Sequence, residues 1–250
     1  MGKPVLLIRL EGPLQSWGSR AKWDVRDTEP EPTKSAIVGL LGCALGYPVS
    51  DPRLETELDA GLRFGVRVEN PGRISWDYQT ISGFLPTAEG KFRSRDGTSM
   101  SLARFESDPD SVPTTIISPR AYLEDAAFLV ALEEKEGFEG LISKCAGALK
   151  RPVWPIYLGR KACVPTRPVF EKLTDEYEGL EDALKRYPWS WKGACMKNRE
   201  FKRPVRAYVE DDRGNIVRQD AVRINPTRQY GFRHVRMISR KELEDVPIEA

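Results

Sequence analysis

The stretch Leu62-Arg-Phe-Gly-Val-Arg-Val-Glu69 alternates without a break. Leu62, Phe64, Val66 and Val68 fall on one side of a two-residue period and the bases Arg63 and Arg67 on the other, the pattern of a strand with one face on a core. Working outward, Thr33 to about Leu45 reads as a helix, with Thr33 as N-cap and Ile37, Leu40, Leu41 and Leu45 on one stripe. Gly39, Gly42 and Gly46 weaken it by propensity but suit a helix lying close on a neighbour. Pro4–Leu10, ahead of it, is an apolar run ended by Gly12-Pro13 and reads as a buried strand. Beyond the opening stretch, residues 72–119 show weak periodicity. Strand character returns in Arg120–Leu132, and Phe138–Leu149 is a second helix candidate.

The order strand, helix, strand, long excursion, strand, helix predicts an α+β fold. It matches a ferredoxin-like, split βαβ module over residues 1–150, with an insertion of about 72–119 between its second and third strands. Residues 151–250 predict a smaller β-rich subdomain packed on it. There, Pro152, Pro155, Pro165 and Pro168 border a loop around Tyr157-Leu-Gly-Arg-Lys-Ala-Cys163. A short helix near Leu180–Arg186 follows. Val205–Glu210 and Ile216–Arg223 then read as a hairpin over Asp211–Asn215.

With 250 residues, 40% hydrophobic and 30% charged, the chain has ordinary globular composition and length enough for a core without metal or disulfides. Its four cysteines are scattered and His234 is its single histidine, so no zinc site or disulfide framework is expected. Gly-x-Ser-x-Gly, a Walker phosphate loop and Gly-x-Gly-x-x-Gly are all absent, which removes the usual nucleophilic and nucleotide-dependent chemistries. No catalytic residue, metal or cofactor is expected. No apolar window reaches the roughly 18 residues of a membrane span. A soluble, cytoplasmic protein without membrane contact is the expectation.

The net charge of +2 conceals segregation. Leu141–Phe170 holds six basic residues and no acid, and Arg213–Lys241 holds eight against the single acid Asp220. Such clustering suggests a polyanion partner. Three local features agree. Lys34 stands with Ser35 at the start of the first helix, where the dipole is already positive, so an anionic ligand such as phosphate would explain it. Gly159-Arg160-Lys161 lies in the proline-bordered loop beside Trp154 and Tyr157, where a base could stack and a backbone approach closely. The excursion carries Trp76, Tyr78, Phe84, Phe92 and Phe105 with Lys91, Arg93, Arg95 and Arg104, as an arm closing over an extended ligand would. No helix shows a basic recognition face, so the pattern favours single-stranded RNA over duplex DNA.

Three motifs, Gly12-Pro-Leu-Gln-Ser-Trp-Gly18, Pro32-Thr-Lys-Ser-x-x-x-Gly-Leu-Leu-Gly42 and Tyr157-Leu-Gly-Arg-Lys-x-Cys163, resemble those of the CasD family, the Cas-five subunit of the type I-E CRISPR surveillance complex, Cascade. Arg120-Ala-Tyr-Leu-Glu-Asp-Ala-x-Phe128 is similar too, and the likeness runs in order from residue 4 to about 240. The resemblance implies a RAMP-type protein on a ferredoxin-like (RRM-like) domain with a protruding thumb at 72–119. It implies a subunit that caps the backbone, holds the 5′ handle of CRISPR RNA, neighbours CasC and CasA, and meets target DNA through the assembled complex. Cleavage would belong to a separate subunit. Carried onto this chain, Gln15, Ser16, Trp17, Lys34, Ser35, Arg160 and Lys161 would lie near the handle, with Arg93, Arg95 and Arg104 on the thumb. On this reading Lys34→Glu weakens RNA-dependent assembly without lowering the melting temperature. The alternative is the metal-independent endoribonuclease activity of type I-C relatives, with His234 as base and Lys34 or Arg160 as electrostatic partner.

Overall fold

A computed structural model of the chain describes residues 2–18, 25–81, 92–93, 99–100, 116–189, 206–224, 228–243 and 246–247. The chain divides into two compact units. One comprises Met1–Ser19, Thr28–Ser75 and Tyr122–Ala250, and the other Arg20–Asp27 and Trp76–Ala121. The fold is mixed α and β with antiparallel sheets.

The first unit is built on a seven-stranded sheet. Its strands are β1 (Val5–Glu11), β3 (Leu62–Asn70), β8 (Ala127–Glu134), β9 (Phe170–Thr174), β10 (Arg206–Glu210), β11 (Ile216–Ile224) and β12 (Arg228–Ile238). Their order is β11-β12-β10-β3-β8-β1-β9. The opening stretch is thus a central strand, paired with β8 from Leu62↔Glu134 onward and with β10 from Val66↔Tyr208. Helices α1 (Lys34–Leu45) and α2 (Leu141–Lys150) share one apolar cluster with Leu6, Ile8, Phe64, Val66, Phe128 and Val130. On the opposite face Val5, Leu7, Leu129 and Ala131 pack with Leu180 and Leu184 of α3 (Leu180–Arg186) and with Trp189. Close approach of α3 depends on Gly65, where an added Cβ would stand 2.8 Å from both leucine methyls.

Two readings of the sequence are corrected here. The alternation of β3 does not mark a solvent face. Arg67 is fully buried, pairs with Glu69, and donates to the carbonyls of Leu184 (2.7 Å) and Tyr187 (2.8 Å) at the end of α3. An arginine reaching orphan C-terminal carbonyls lets a basic position face a second layer. Nor do β10 and β11 form a hairpin, because β12 lies between them. The Asp-Asp-Arg-Gly turn reverses the chain, but the longer β12 ladders with both neighbours. The strands after Lys150 therefore join the sheet of the first half, and all of Tyr122–Ala250 belongs to the first unit. At the sheet end, the backbone N–H groups of Val222 and Ile224 donate to Asp59 Oδ1 (3.1 Å) and Glu55 Oε2 (2.7 Å), which blunts the free edge of β11.

A three-stranded sheet, ordered β2-β7-β4, uses β2 (Leu14–Gln15), β7 (Ile116–Glu124) and β4 (Arg73–Ile81). Within the second unit Arg26 bridges β7, with its N–H on the Pro119 carbonyl at 3.0 Å, and β5 (Phe92–Arg93) pairs with β6 (Ser99–Met100). Among the described residues no helix is long and apolar enough to cross a membrane.

Candidate nucleic-acid interface

Two of the three motifs meet. The Ser16 N–H donates to the Leu158 carbonyl (3.0 Å), and the Leu158 N–H to that of Cys163 (2.7 Å), so the loop folds back over the Gly12–Gly18 turn. Gly159 has φ +98°, and a Cβ there would lie 1.8 Å from the Ser16 carbonyl oxygen. The close approach that this glycine permits is to the protein's own backbone. Gly159→Ala is therefore expected to cost about 3 kcal/mol through left-handed strain and overpacking. Urea denaturation checks this against Lys161→Ala, which should be neutral; equal stabilities would show that the loop is not seated on Ser16.

The turn itself faces inward. Gln15 is buried and its Nε2 donates to the carbonyls of Leu10 (3.3 Å) and Ala126 (2.6 Å). Trp17 is buried too, its N–H on Thr28 Oγ1 (2.8 Å) and its carbonyl accepting from Glu29 (2.9 Å). Ser16 is likewise buried. These three residues shape the floor under the loop and present no side chain to an external ligand.

Lys34 requires a plainer correction. It is 3% exposed, and its ammonium lies 2.9 Å from Glu210 Oε2, while Lys135 reaches Glu210 Oε1 at 3.0 Å. Its backbone N–H donates to Asp220 Oδ2 (2.8 Å), and Arg233 grips both oxygens of Asp220 at 2.6 and 2.8 Å. Ser35 is buried, its hydroxyl 3.1 Å from that of Thr33. The anion at the helix start is the protein's own Asp220, and the anion opposite Lys34 is Glu210. A carboxylate satisfies the orphan N–H groups and the dipole as well as a phosphate does. Burial pushes the Lys34 pKa down against the pull of Glu210. Burial also pushes the Glu210 carboxyl up, but Lys34 and Lys135 outweigh it and hold it below its ordinary value.

Four bases of the run at 213–241 are neutralised by acids of the protein itself. Arg218 pairs with Glu31, Arg223 with Asp59, Arg233 with Asp220, and Arg236 with Asp211. Around these four arginines, charge segregated along the sequence is intermixed in space. His234 is exposed on β12, with Nδ1 3.1 Å from the Gly214 carbonyl. Lys34, engaged with Glu210, is not available to it as an electrostatic partner.

The run at 141–170 behaves differently. Lys144 pairs with Glu57 and Arg167 with Glu171, but Lys150, Arg151 and Lys161 are exposed and make no ion pair among the described residues. The Arg160 guanidinium lies 4.7 Å over the Tyr122 ring. Between these bases Trp154 is 43% exposed and flanked by exposed Val153, in a segment held to α1 by the Val153 N–H on the Ala44 carbonyl (2.9 Å). An aromatic face among unneutralised cations suits a single-stranded nucleic acid. Lys150 and Arg151 escaped the sequence reading, although the acid-free run was the signal that contained them. Arg95 and Arg104 lie outside the described residues, and Arg93 is described only through its backbone pairing with Ser99.

The family model for the CRISPR-associated protein (Cas_Cas5) matches residues 5–236. The chain is 32% identical over 173 residues to the CRISPR system Cascade subunit CasD of Escherichia coli (strain K12), covering 66% of this chain and 69% of that protein. Among solved structures, a chain of a CRISPR RNA-guided surveillance complex matches with TM-score 0.65 and 29% identity over 94% of this chain and 89% of that one. A structure described as a Cas protein matches with TM-score 0.62 and 30% identity over 98% of each chain.

Proposed function

Because the chain belongs to the CRISPR-associated Cas5 family, we propose that it is the CRISPR RNA-holding subunit of a Cascade-type surveillance complex in antiviral defence. It grips the 5′ handle, caps the backbone beside CasC and the large subunit CasA, and meets target DNA through the assembled complex. It is a binder and not a nuclease. The observation that carries this reading is the exposed, acid-free segment from Lys150 to Lys161, with Trp154 between its bases. Phosphates bind where cations are left without carboxylates, and flat aromatic faces take up bases irrespective of sequence.

The order β3-β8-β1-β9, with α1 linking β1 to β3 and α2 linking β8 to β9, supports a ferredoxin-like module. On it the Gln15–Trp17 turn and the Lys34–Ser35 helix start act as buried supports, while Arg160 and Lys161 reach the handle. We read the excursion around 72–119 as a thumb and keep Arg93, Arg95 and Arg104 as its candidate phosphate contacts.

Arg151→Glu/Lys161→Glu should weaken binding of a labelled handle RNA. The slope of log affinity against log salt should fall by about 0.7 for each phosphate that is no longer neutralised. Fluorescence anisotropy from low to high salt tests this, and unchanged affinity and slope would remove the loop from the interface. Precursor RNA incubated with the protein in EDTA should stay intact; cleavage abolished by His234→Ala would replace the binder with the endoribonuclease.

A further inference from the structure

The residues from Arg151 to Pro155 are all exposed and belong to no helix or strand, yet their backbone is fastened on both sides. The Arg151 N–H donates to the carbonyls of Ala148 (3.2 Å) and Gly147 (3.3 Å) at the end of α2. The Val153 N–H donates to the Ala44 carbonyl (2.9 Å) in the last turn of α1. One residue earlier on that helix, the Cys43 thiol donates to the Pro155 carbonyl at 3.3 Å, with the Trp154 carbonyl 3.8 Å away. Partial burial pushes the Cys43 pKa up, so the thiol keeps the proton that it donates. Carbonyls at a helix end have no partner within the helix, so a neighbouring segment of backbone can be held there.

Gly46 makes this approach possible. It closes α1 in the left-handed region at φ 75°, with its N–H on the Cys43 carbonyl at 3.2 Å. An added Cβ there would stand 2.9 Å from one Val153 methyl and 3.2 Å from the Val153 Cβ. The end of α1 thus sets where residues 153–155 run, and with them the root of the Trp154 side chain. A ring on a loosely held loop loses conformational freedom when a ligand seats on it, and that loss subtracts from affinity. A ring whose main chain is pinned on both sides has given up part of that freedom before the ligand arrives.

We infer that Cys43 and Gly46 are positioning residues, holding Trp154 as a preorganised stacking platform for one base of a single-stranded RNA. This rests on the reading of the Lys150–Lys161 segment as the RNA interface. Both residues act through the main chain of 153–155 and bring no charge to the ligand. The test measures the affinity of the full chain for a labelled single-stranded handle RNA, and its salt slope, by fluorescence anisotropy. Trp154→Ala should weaken binding about tenfold, the loss of one stacked base. Cys43→Leu introduces a good helix former too large for the 3.3 Å gap, and Gly46→Ala crowds Val153. Each should weaken binding about fivefold with the salt slope unchanged, because every cation stays in place. Added to Trp154→Ala, neither should weaken binding further, since the ring that they position is gone. Cys43→Ser, which keeps a donor of similar size, should bind like the parent. Parent-like binding by Cys43→Leu and Gly46→Ala, or losses that add to that of Trp154→Ala, would overturn the positioning role and leave the RNA loop standing. Unchanged binding by Trp154→Ala would overturn the stacking reading and this inference with it. Because left-handed strain lowers the stability of Gly46→Ala, the two Cys43 variants decide where the results disagree.

Discussion

Lys34→Glu is expected to lower the melting temperature by about 10 °C or more, with any loss of assembly following from the loss of fold. The reason lies in the buried pair. Removing one partner of a buried ion pair costs about 3–5 kcal/mol because the other charge is left without water. Here the replacement also sets a carboxylate against Glu210 and within the field of Asp59, where the Lys34 ammonium now stands. For a chain of this length each kcal/mol is worth about 2–4 °C. The sequence alone predicted an unchanged melting temperature. Thermal unfolding of Lys34→Glu beside Lys161→Glu, an exposed charge reversal, separates the two. A parent-like melting temperature would return Lys34 to the RNA surface.

The same pair predicts a pH dependence. Glu210 has its folded pKa below the ordinary carboxylate value, with Lys34 and Lys135 outweighing the opposing effect of burial. A carboxyl depressed on folding contributes stability that is complete above its unfolded pKa, about 4.3, and lost as pH falls through the folded value. The stability difference between the parent and Glu210→Gln should therefore be constant near neutrality and shrink below about pH 4. A difference that persisted into strong acid would mean that the Glu210 charge contributes nothing.

Arg67→Leu should be comparably damaging. Its guanidinium is enclosed, neutralises the fully buried Glu69 together with Arg9, and supplies donors to the carbonyls of Leu184, Tyr187 and Pro188. Leucine restores apolar contact but leaves Glu69 with one cation instead of two and the end of α3 without its donors. We expect a loss of about 3–5 kcal/mol in urea denaturation. The double change Arg67→Leu/Glu69→Leu should recover part of it, because both buried charges leave together. No recovery would show that the carbonyl contacts, and not the ion pair, carry the effect.

These two side chains show where sequence reasoning succeeded and where it stopped. Alternation in Leu62–Glu69 made β3 legible, Thr33 marked the start of α1, and the three motifs pointed to the family before any coordinate was known. Each of these signals is local: a period, a cap, a short colinear pattern. The partner of a charge is not local. Lys34 meets Glu210 across 176 positions, and Arg218 meets Glu31 across 187. In sequence such a lysine is indistinguishable from one that awaits a phosphate. The same limit explains the misread hairpin, since a turn specifies a reversal and not which strand fills the space beside it.

The sequence by itself determined the types of the elements with clear periodicity (β1, α1, β3, β8 and α2), the mixed α and β class and the family, because hydrophobic periodicity, capping and motif spacing are written over a few residues. Only the tertiary structure decided which cations remain for a ligand. Folding brought distant acids onto Lys34, Arg218 and Arg223, while Lys150, Arg151 and Lys161 kept no carboxylate partner among the described residues. A buried charge must be paired where it lies, whereas an exposed one is held by water until a ligand displaces it.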